Sequence, residues 1–479
     1  MDSSAGESGA VDSGAAGQSG GAAVLALLRE RLGGCVSTAP AELDAARADA
    51  SGHVAAERPI AVVHAHTVED VVATMRVATA TRTPVVPRGA GTGLAGGAIG
   101  GAGEIVLSTC GMDALLELNV DDRYAVVEPG IVNAELNALL APHGLWFAPD
   151  PASRAISTVG GNIATNAGGL LCAKYGVTRE SVLGLTIVLA DGRVVELGRR
   201  TVKGVAGLDL TALVIGSEGT LGVIVRATVR LRPLPAGGVA TIAARFPDVA
   251  TAATAAVAIG AAGLSPAVME LLDKRAVRGI AEHLGLDDEG AQLLLSFDEA
   301  GAAAQAERAL AVVQTHGGRA ELTTDTAESE RLFAVRRSFH PAMERLGRVL
   351  IEDVCVPRSR LAEMFAAIGE IERRFGVAIP TVAHAGDGNL HPNFVFDPDD
   401  AGPDAGSDAG GVPERVWQAA DALFLAGLRL GGTLTGEHGV GLLKRRWIGE
   451  ELGAEQLGLL RGIRAVFDPI GILNPGKAY

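Results

Sequence analysis

A chain of 479 residues with 48% hydrophobic side chains has room for about two or three domains, and at 4% aromatics their cores must be built from Ala, Val, Leu and Ile. The formal charge of −15 and the lack of any Lys/Arg run argue against a nucleic-acid surface. Cys35, Cys110, Cys172 and Cys355 show no spacing for haem attachment, disulfide exchange or an iron–sulfur cluster, so they read as reduced thiols, and any iron–sulfur partner is a separate polypeptide.

Residues 1–22 are Gly, Ser and Ala with scattered acids, a composition expected to stay disordered. The first cation is Arg29, so the start lacks the character of a signal or transit peptide, and a cytoplasmic location is expected. An amphipathic helix begins over Ala23 to Leu32, and 57–64 reads as a strand. Thr67-Val-Glu-Asp70 opens a helix to about Arg82 as a capping box, with Asp70 in place of the usual Glu or Gln.

That helix leads into Arg88-Gly-Ala-Gly-Thr-Gly-Leu-Ala-Gly-Gly97. Six glycines, Gly89, Gly91, Gly93, Gly96, Gly97 and Gly100, fall within twelve residues and free successive N–H groups to turn towards one point, a nest suited to phosphate. Gly91-x-Gly93-x-x-Gly96 also satisfies the dinucleotide fingerprint, but a nicotinamide-binding unit needs a helix opening at the glycines. Here the β-type run Glu104-Ile-Val-Leu-Ser108 follows, so the loop is expected to join two strands and to hold a pyrophosphate by backbone amides. Asn133 is expected to cap a helix over Ala134 to Ala141 that stops at His143-Gly144. Phe147 to Ser153 and then Ser157 to Gly169 interleave glycines with Ser157, Thr158, Asn162, Thr165 and Asn166, side chains suited to amide, ribose or phosphate contacts. Leu183 to Leu197 reads as a hairpin about Asp191-Gly192, and Gly216 to Gly222 is a third glycine segment before an alternating strand from Val223.

Pro233, Pro235, Gly237 and Gly238 mark a boundary. Beyond it come strand 239–246, a helix from Asp248, strands 267–272 and 291–297, and helix 301–316, the order of an α+β domain with an antiparallel sheet. Helix 327–346, strand 348–356, helix 358–375 and a helix over Pro413 to Leu430 enlarge it, and Asp397 to Gly411 reads as an exposed loop. The uncharged run Val249 to Met269 is rich in Ala, Gly and Thr and contains Pro266, so it reads as helix, turn and strand, and no transmembrane segment is expected.

His384-Ala-Gly-Asp-Gly-Asn-Leu-His-Pro-Asn393 and Gly436-Glu-His-Gly-Val-Gly441 place three of the ten histidines in two glycine-bounded loops. Two imidazoles with Glu437 would suit a divalent transition metal; hydrogen-bonded structural histidines are the other reading. Arg336 or Arg337 could fork onto a carboxylate, or lie solvated on its helix.

From about residue 55 to 479, these segments together resemble the FAD-linked oxidoreductases of the vanillyl-alcohol oxidase and p-cresol methylhydroxylase (PCMH) type. The branch is the one with D-lactate dehydrogenase, the glycolate oxidase flavin subunit and D-2-hydroxyglutarate dehydrogenase. The resemblance implies an α+β fold: a tail over 1–22, a two-part FAD-binding domain over 23–235, a substrate-side cap with an antiparallel sheet over 236–430, and a C-terminal segment, 431–479, that returns to the flavin. It implies FAD contacts at Arg88, Gly89, Ala90, Gly91, Thr92, Gly93, Leu94 and Gly97, then at Pro149, Ser153, Gly160, Gly161, Asn162, Thr165 and Asn166. Glu218, Gly219, Gly222 and Ile224 are implied on the flavin side, with Asn474 from the C-terminus. Some relatives attach flavin through a histidine in the glycine loop; Thr92 stands there with no histidine, so non-covalent FAD is expected.

The same resemblance implies Zn or Mn on His384, His391 and Glu437. It makes His438 the base for the hydroxyl proton of a 2-hydroxy acid, Arg336 the carboxylate anchor and Asn393 an added hydrogen bond. Dicarboxylate-using members have a Lys where Leu350-Ile-Glu-Asp-Val-Cys-Val-Pro357 has Ile351, so a monocarboxylate, D-lactate or glycolate, is expected. The rivals are a glycolate oxidase flavin subunit, a D-2-hydroxyglutarate dehydrogenase and a degenerate carboxylate-binding protein. The electron acceptor (quinone, cytochrome, electron-transfer flavoprotein or separate iron–sulfur protein), a homodimer and peripheral membrane attachment are left open.

Overall fold

The computed structural model describes residues 13–201, 203–397 and 411–479. In the first half, Val36–Ser37, Ala61–His64, Ile105–Ser108 and Val85–Arg88 form one sheet in that order, and the last three strands run parallel. All four residues of Ile105–Ser108 are buried, and the loop from 89 to 104 joins it to Val85–Arg88 without a helix, as the β-type run implied. Helix Val68–Thr81 covers this sheet. Its capping box is complete: the Thr67 hydroxyl accepts from the Asp70 N–H while the Asp70 carboxylate accepts from the Thr67 N–H, and Val71, Met75 and Ala78 point inward.

A second sheet runs Leu115–Asn119, Tyr124–Val127, Val223–Arg230, Val182–Val188, Val194–Gly198, antiparallel throughout. The larger sheet of the second half is also antiparallel, in the order Arg319–Thr323, Ala240–Phe246, Ala291–Phe297, Val268–Leu272, Thr381–His384, Asn389–Phe396, Arg348–Ile351, with Val354–Cys355 also paired to Asn389–Phe396. Helices Val249–Ala261, Ala302–Thr315, Leu361–Phe375 and Glu414–Arg429 bury one of its faces around Phe297, Phe394 and Phe424. After helix Ile448–Phe467 the chain returns to the first sheet, where the Val85 N–H donates to Ile472 O (2.8 Å) and the Asn474 N–H to Val85 O (2.8 Å). No helix among the described residues is long and apolar enough to cross a membrane.

The structure departs from the sequence reading in several places. The first helix is Ser13–Leu32, starting ten residues before Ala23; Val24, Leu28 and Leu32 are buried, and a helix anchored by packing extends outward at little further cost. Residues 1–12 of the expected tail, and most of the expected 397–411 loop, lie outside the described residues. Asn133 does not cap: Val132 holds the cap position, and the buried Asn133 amide donates to Pro149 O (2.9 Å) and Asn162 Oδ1 (3.3 Å). The helix expected over 327–346 is two, Thr326–Arg337 and Phe339–Glu344, because Pro341 has no N–H to continue the first. Strand 348–356 is likewise split at Glu352-Asp353, whose side chains turn into the buried site. Helix Lys274–Leu284 and strand Arg319–Thr323 were not foreseen.

Candidate active site

Four segments meet beside the first sheet. A Cβ on Gly89 would strike the Thr158 hydroxyl, and one on Gly219 would lie 3.1 Å from Pro87, so these glycines stand where backbones touch. The Gly216 N–H donates to Ile163 O (3.0 Å), and the Glu218 N–H to Ala164 O (2.8 Å). Asn474 Nδ2 donates to Gly97 O (3.0 Å) and Glu218 O (2.7 Å), tying the C-terminus to both. Gly91 and Gly96 adopt φ of 70° and 80°. Among the described residues, no backbone N–H from Ala90 to Gly97 finds an acceptor within the protein. An array of unpaired amides on a glycine loop is what a pyrophosphate needs, so the cradle fits a dinucleotide.

The side chains around it mostly serve the chain itself. The Arg88 guanidinium folds back to donate to Ala98 O (2.7 Å) and Ala45 O (3.3 Å). Asn162 is buried and donates to Ser157 Oγ (3.2 Å), Thr165 donates to Gly161 O (3.2 Å), and Asn166 Oδ1 accepts from the Arg179 N–H (2.9 Å). Ile224 packs into the core beneath the second sheet. Pro149 and Gly160 are buried, and Ser153 and Gly161 half-buried. A Cβ on Gly222 would lie 3.2 Å from Ile187 and Val188. The buried Glu218 carboxylate accepts from the Val440 N–H (2.8 Å) and the Gly441 N–H (2.7 Å), strapping the loop that carries His438 to the cradle.

His384 and His391 lie on strands, not in the loop the sequence suggested, whereas His438 does sit in a loop. His384 ends Thr381–His384, His391 lies in Asn389–Phe396, and in this hairpin Val382 is opposite His391, so the two-residue period puts both imidazoles on one face. Their Nε2 atoms lie 3.5 Å and 3.1 Å from Glu437 Oε1, and the three ligand atoms fall within 4.8 Å of one another. The His438 ring stacks on His391 at 5.1 Å, with Nε2 3.9 Å from Glu437 Oε1. A Cβ on Gly168 would strike the Glu437 carboxylate, so the end of the second glycine stretch also abuts the cluster. Two imidazoles and a carboxylate converging within 4.8 Å fit a divalent transition metal.

Two buried acids that motif reading missed set these groups. Glu270 Oε1 lies 2.5 Å from His384 Nδ1, and its Oε2 accepts from Arg336 Nε (2.8 Å) and Nη2 (2.7 Å). Asp353 Oδ2 accepts from Thr435 Oγ1 (2.6 Å) and from the Glu437 and His438 N–H groups (3.1 and 3.0 Å), while Oδ1 stands 4.0 Å from His391 Nδ1. The buried Lys444 donates to Asp353 O (2.9 Å) and Leu434 O (3.1 Å). Asn393 is buried and donates to His391 O (2.9 Å). A signal for Glu270 did exist: a lone acid within the otherwise apolar Val268–Leu272 strand.

Burial pushes the His438 imidazole down to about 4, against a weaker upward pull from Asp353, so the ring is neutral and can accept a proton. Burial also opposes charge on Glu437, but hydrogen bonds from His384 and His391 hold its carboxyl well below the usual range. Glu270 is lowered against burial by His384 and Arg336.

A cradle for a dinucleotide lies beside a cluster with the donor set for a metal and a neutral imidazole that can accept a proton. The chain belongs to the FAD-linked oxidases: residues 59–198 match the FAD binding domain, and residues 238–478 match the family described as FAD linked oxidases, C-terminal domain. It is 36% identical over 429 residues to the glycolate oxidase subunit GlcD of Bacillus subtilis, covering 88% of this chain and 89% of that one. It is 38% identical over 420 residues to a D-lactate dehydrogenase of Archaeoglobus fulgidus, covering 85% and 89%. The structure of p-cresol methylhydroxylase with substrate bound aligns over 96% of this chain and 97% of its own with a TM-score of 0.77 at 16% identity, which establishes the shared fold. The protein is thus an FAD-linked oxidoreductase of the PCMH-type fold.

Proposed function

We propose that this enzyme oxidises a small D-2-hydroxy acid, D-lactate foremost, to the 2-oxo acid, with non-covalent FAD and a zinc or manganese ion. The convergence of His384, His391 and Glu437 beside His438 and Arg336 carries this reading. Bound FAD supplies a two-electron acceptor for hydride. A divalent ion on His384, His391 and Glu437 supplies a Lewis acid for a hydroxyl oxygen. Arg336, held by Glu270 through Nε and Nη2, keeps Nη1 for the substrate carboxylate. His438 takes the hydroxyl proton at Nε2, the ring nitrogen on the Glu437 side. Asn393 steadies the His391 backbone. The domain limits given above, at 235/236 and 430/431, are part of the same proposal.

Ile351 pairs in register with Asn393 and offers no cation for a second carboxylate, which supports a monocarboxylate over 2-hydroxyglutarate. The test is anaerobic mixing of the oxidised enzyme with D-lactate, L-lactate, glycolate or D-2-hydroxyglutarate. D-lactate is expected to bleach the flavin band fastest; bleaching by D-2-hydroxyglutarate alone would overturn the assignment. The similarity to a glycolate oxidase subunit supports a second reading, in which glycolate is fastest and an iron–sulfur polypeptide co-purifies.

A further inference from the structure

We propose that Glu270 is a positioning residue that sets both the His384 imidazole and the Arg336 guanidinium from one buried carboxylate. The proposal rests on the metal-binding and carboxylate-binding roles given to those two residues above. Glu270 lies in Val268–Leu272, opposite His384 in the strand register, and is 0% exposed. Its same-face neighbours in the strand, Val268 and Leu272, are buried and apolar, so packing alone does not call for an acid at this place. An unpaired carboxylate there would be strongly destabilising, and it is tolerated because each oxygen meets a donor: Oε1 meets His384 Nδ1 at 2.5 Å, and Oε2 meets Arg336 Nε at 2.8 Å.

The geometry has a consequence on each side. An ionised carboxylate only accepts, so His384 must carry hydrogen on Nδ1; Nε2 is then the nitrogen that faces Glu437, donating to it while protonated and able to ligate an ion once that proton is displaced. Arg336 is gripped along its Nε–Nη2 edge, which fixes the direction of Nη1. One carboxylate therefore sets the distance between an ion-binding nitrogen and a carboxylate-binding cation.

The test uses the full-length FAD-loaded protein, stripped of metal by a chelator. Zn²⁺ and Mn²⁺ affinities are read by competition with a fluorescent chelator, alongside KM and kcat for D-lactate. In Glu270→Gln the amide keeps the volume but must turn its NH₂ to one of two donors. The dissociation constant of the ion is expected to rise about 10–100-fold, and KM to rise by a larger factor than kcat falls, with the flavin band retained. Glu270→Asp, with the charge on a shorter arm, is expected to fall between the two and carries the test if the Gln variant does not accumulate. Unchanged ion affinity in whichever variant accumulates overturns the proposal and leaves the ligand set standing. Loss of flavin, ion and fold together in both variants also overturns it, since that marks a purely structural carboxylate. A wild-type chain that binds neither ion overturns the metal reading itself, and is seen before any variant is compared.

Discussion

The dinucleotide cradle and the histidine cluster adjoin each other, yet different chemistry holds them. In the cradle the backbone does the binding: unpaired amides from Ala90 to Gly97, glycines at positive φ, and close approaches such as Gly89 to Thr158. In the cluster side chains do it, and they are set by carboxylates far away in sequence: Glu270 for His384, and Asp353 for the loop carrying Glu437 and His438. A backbone site demands glycine where φ is positive or another backbone lies close. A side-chain site depends on remote charge and can be unset without touching a ligand.

The largest expected effect is at the base. His438→Ala should slow flavin reduction by substrate roughly 10²–10⁴-fold in anaerobic stopped flow, with FAD content unchanged, since His438 contributes to the side-chain half alone. Next, Gly168→Ala places a Cβ against the Glu437 carboxylate; metal affinity, measured by chelator competition, should fall at least about tenfold while the flavin stays bound. The converse variant, Gly89→Ala, drives a Cβ into the Thr158 hydroxyl. Its FAD dissociation constant should rise about tenfold, or ~1.4 kcal/mol, with metal content intact. If either glycine variant loses flavin and metal together, the two halves are one unit and the contrast fails.

The smallest effect compares two neighbouring acids. Asp353 is held well below the usual carboxylate range: burial opposes its charge, but Lys444, His438 and His391 outweigh it. Glu352 is pushed up to about 7 by burial, with Asp353 adding to the rise; Lys444, 3.8 Å away, pulls the other way but does not offset it, and Oε1 has no partner. A carboxyl raised in the folded state contributes stability that is full below its unfolded pKa and is lost as pH rises through the folded value. Glu352→Gln, which cannot titrate, should therefore match the parent near pH 5 and gain on it above pH 7, by on the order of 2 °C in Tm. A Tm difference that does not change with pH would show that Lys444 already keeps Glu352 charged.

Much of the cradle was legible because its residues are contiguous and its physics is local: the glycine loop, the β-type run after it and the Thr67–Asp70 box each declare their backbone geometry. The ligands His384, His391 and Glu437 were visible as residue types, but their placement on a hairpin was not, since Gly386 and Gly388 suggested a loop where only the turn is irregular. Glu270 and Asp353 stayed hidden because their partners lie 114 and 84 residues away: a lone acid in an apolar strand marks Glu270 as unusual but does not say what it faces. Asn133 misled for a related reason: its sequence neighbourhood favours a cap, but the buried Pro149 carbonyl and Asn162 amide offer its side chain partners that only the tertiary fold brings near.

The most direct test of the account is anaerobic reduction of the bound flavin by D-lactate, followed before and after metal removal by chelation and again after adding back Zn²⁺ or Mn²⁺. The account predicts fast bleaching, its loss on chelation with the flavin still bound and still reducible by dithionite, and recovery with the ion. Bleaching at an undiminished rate in verified metal-free enzyme would contradict the role given to His384, His391 and Glu437.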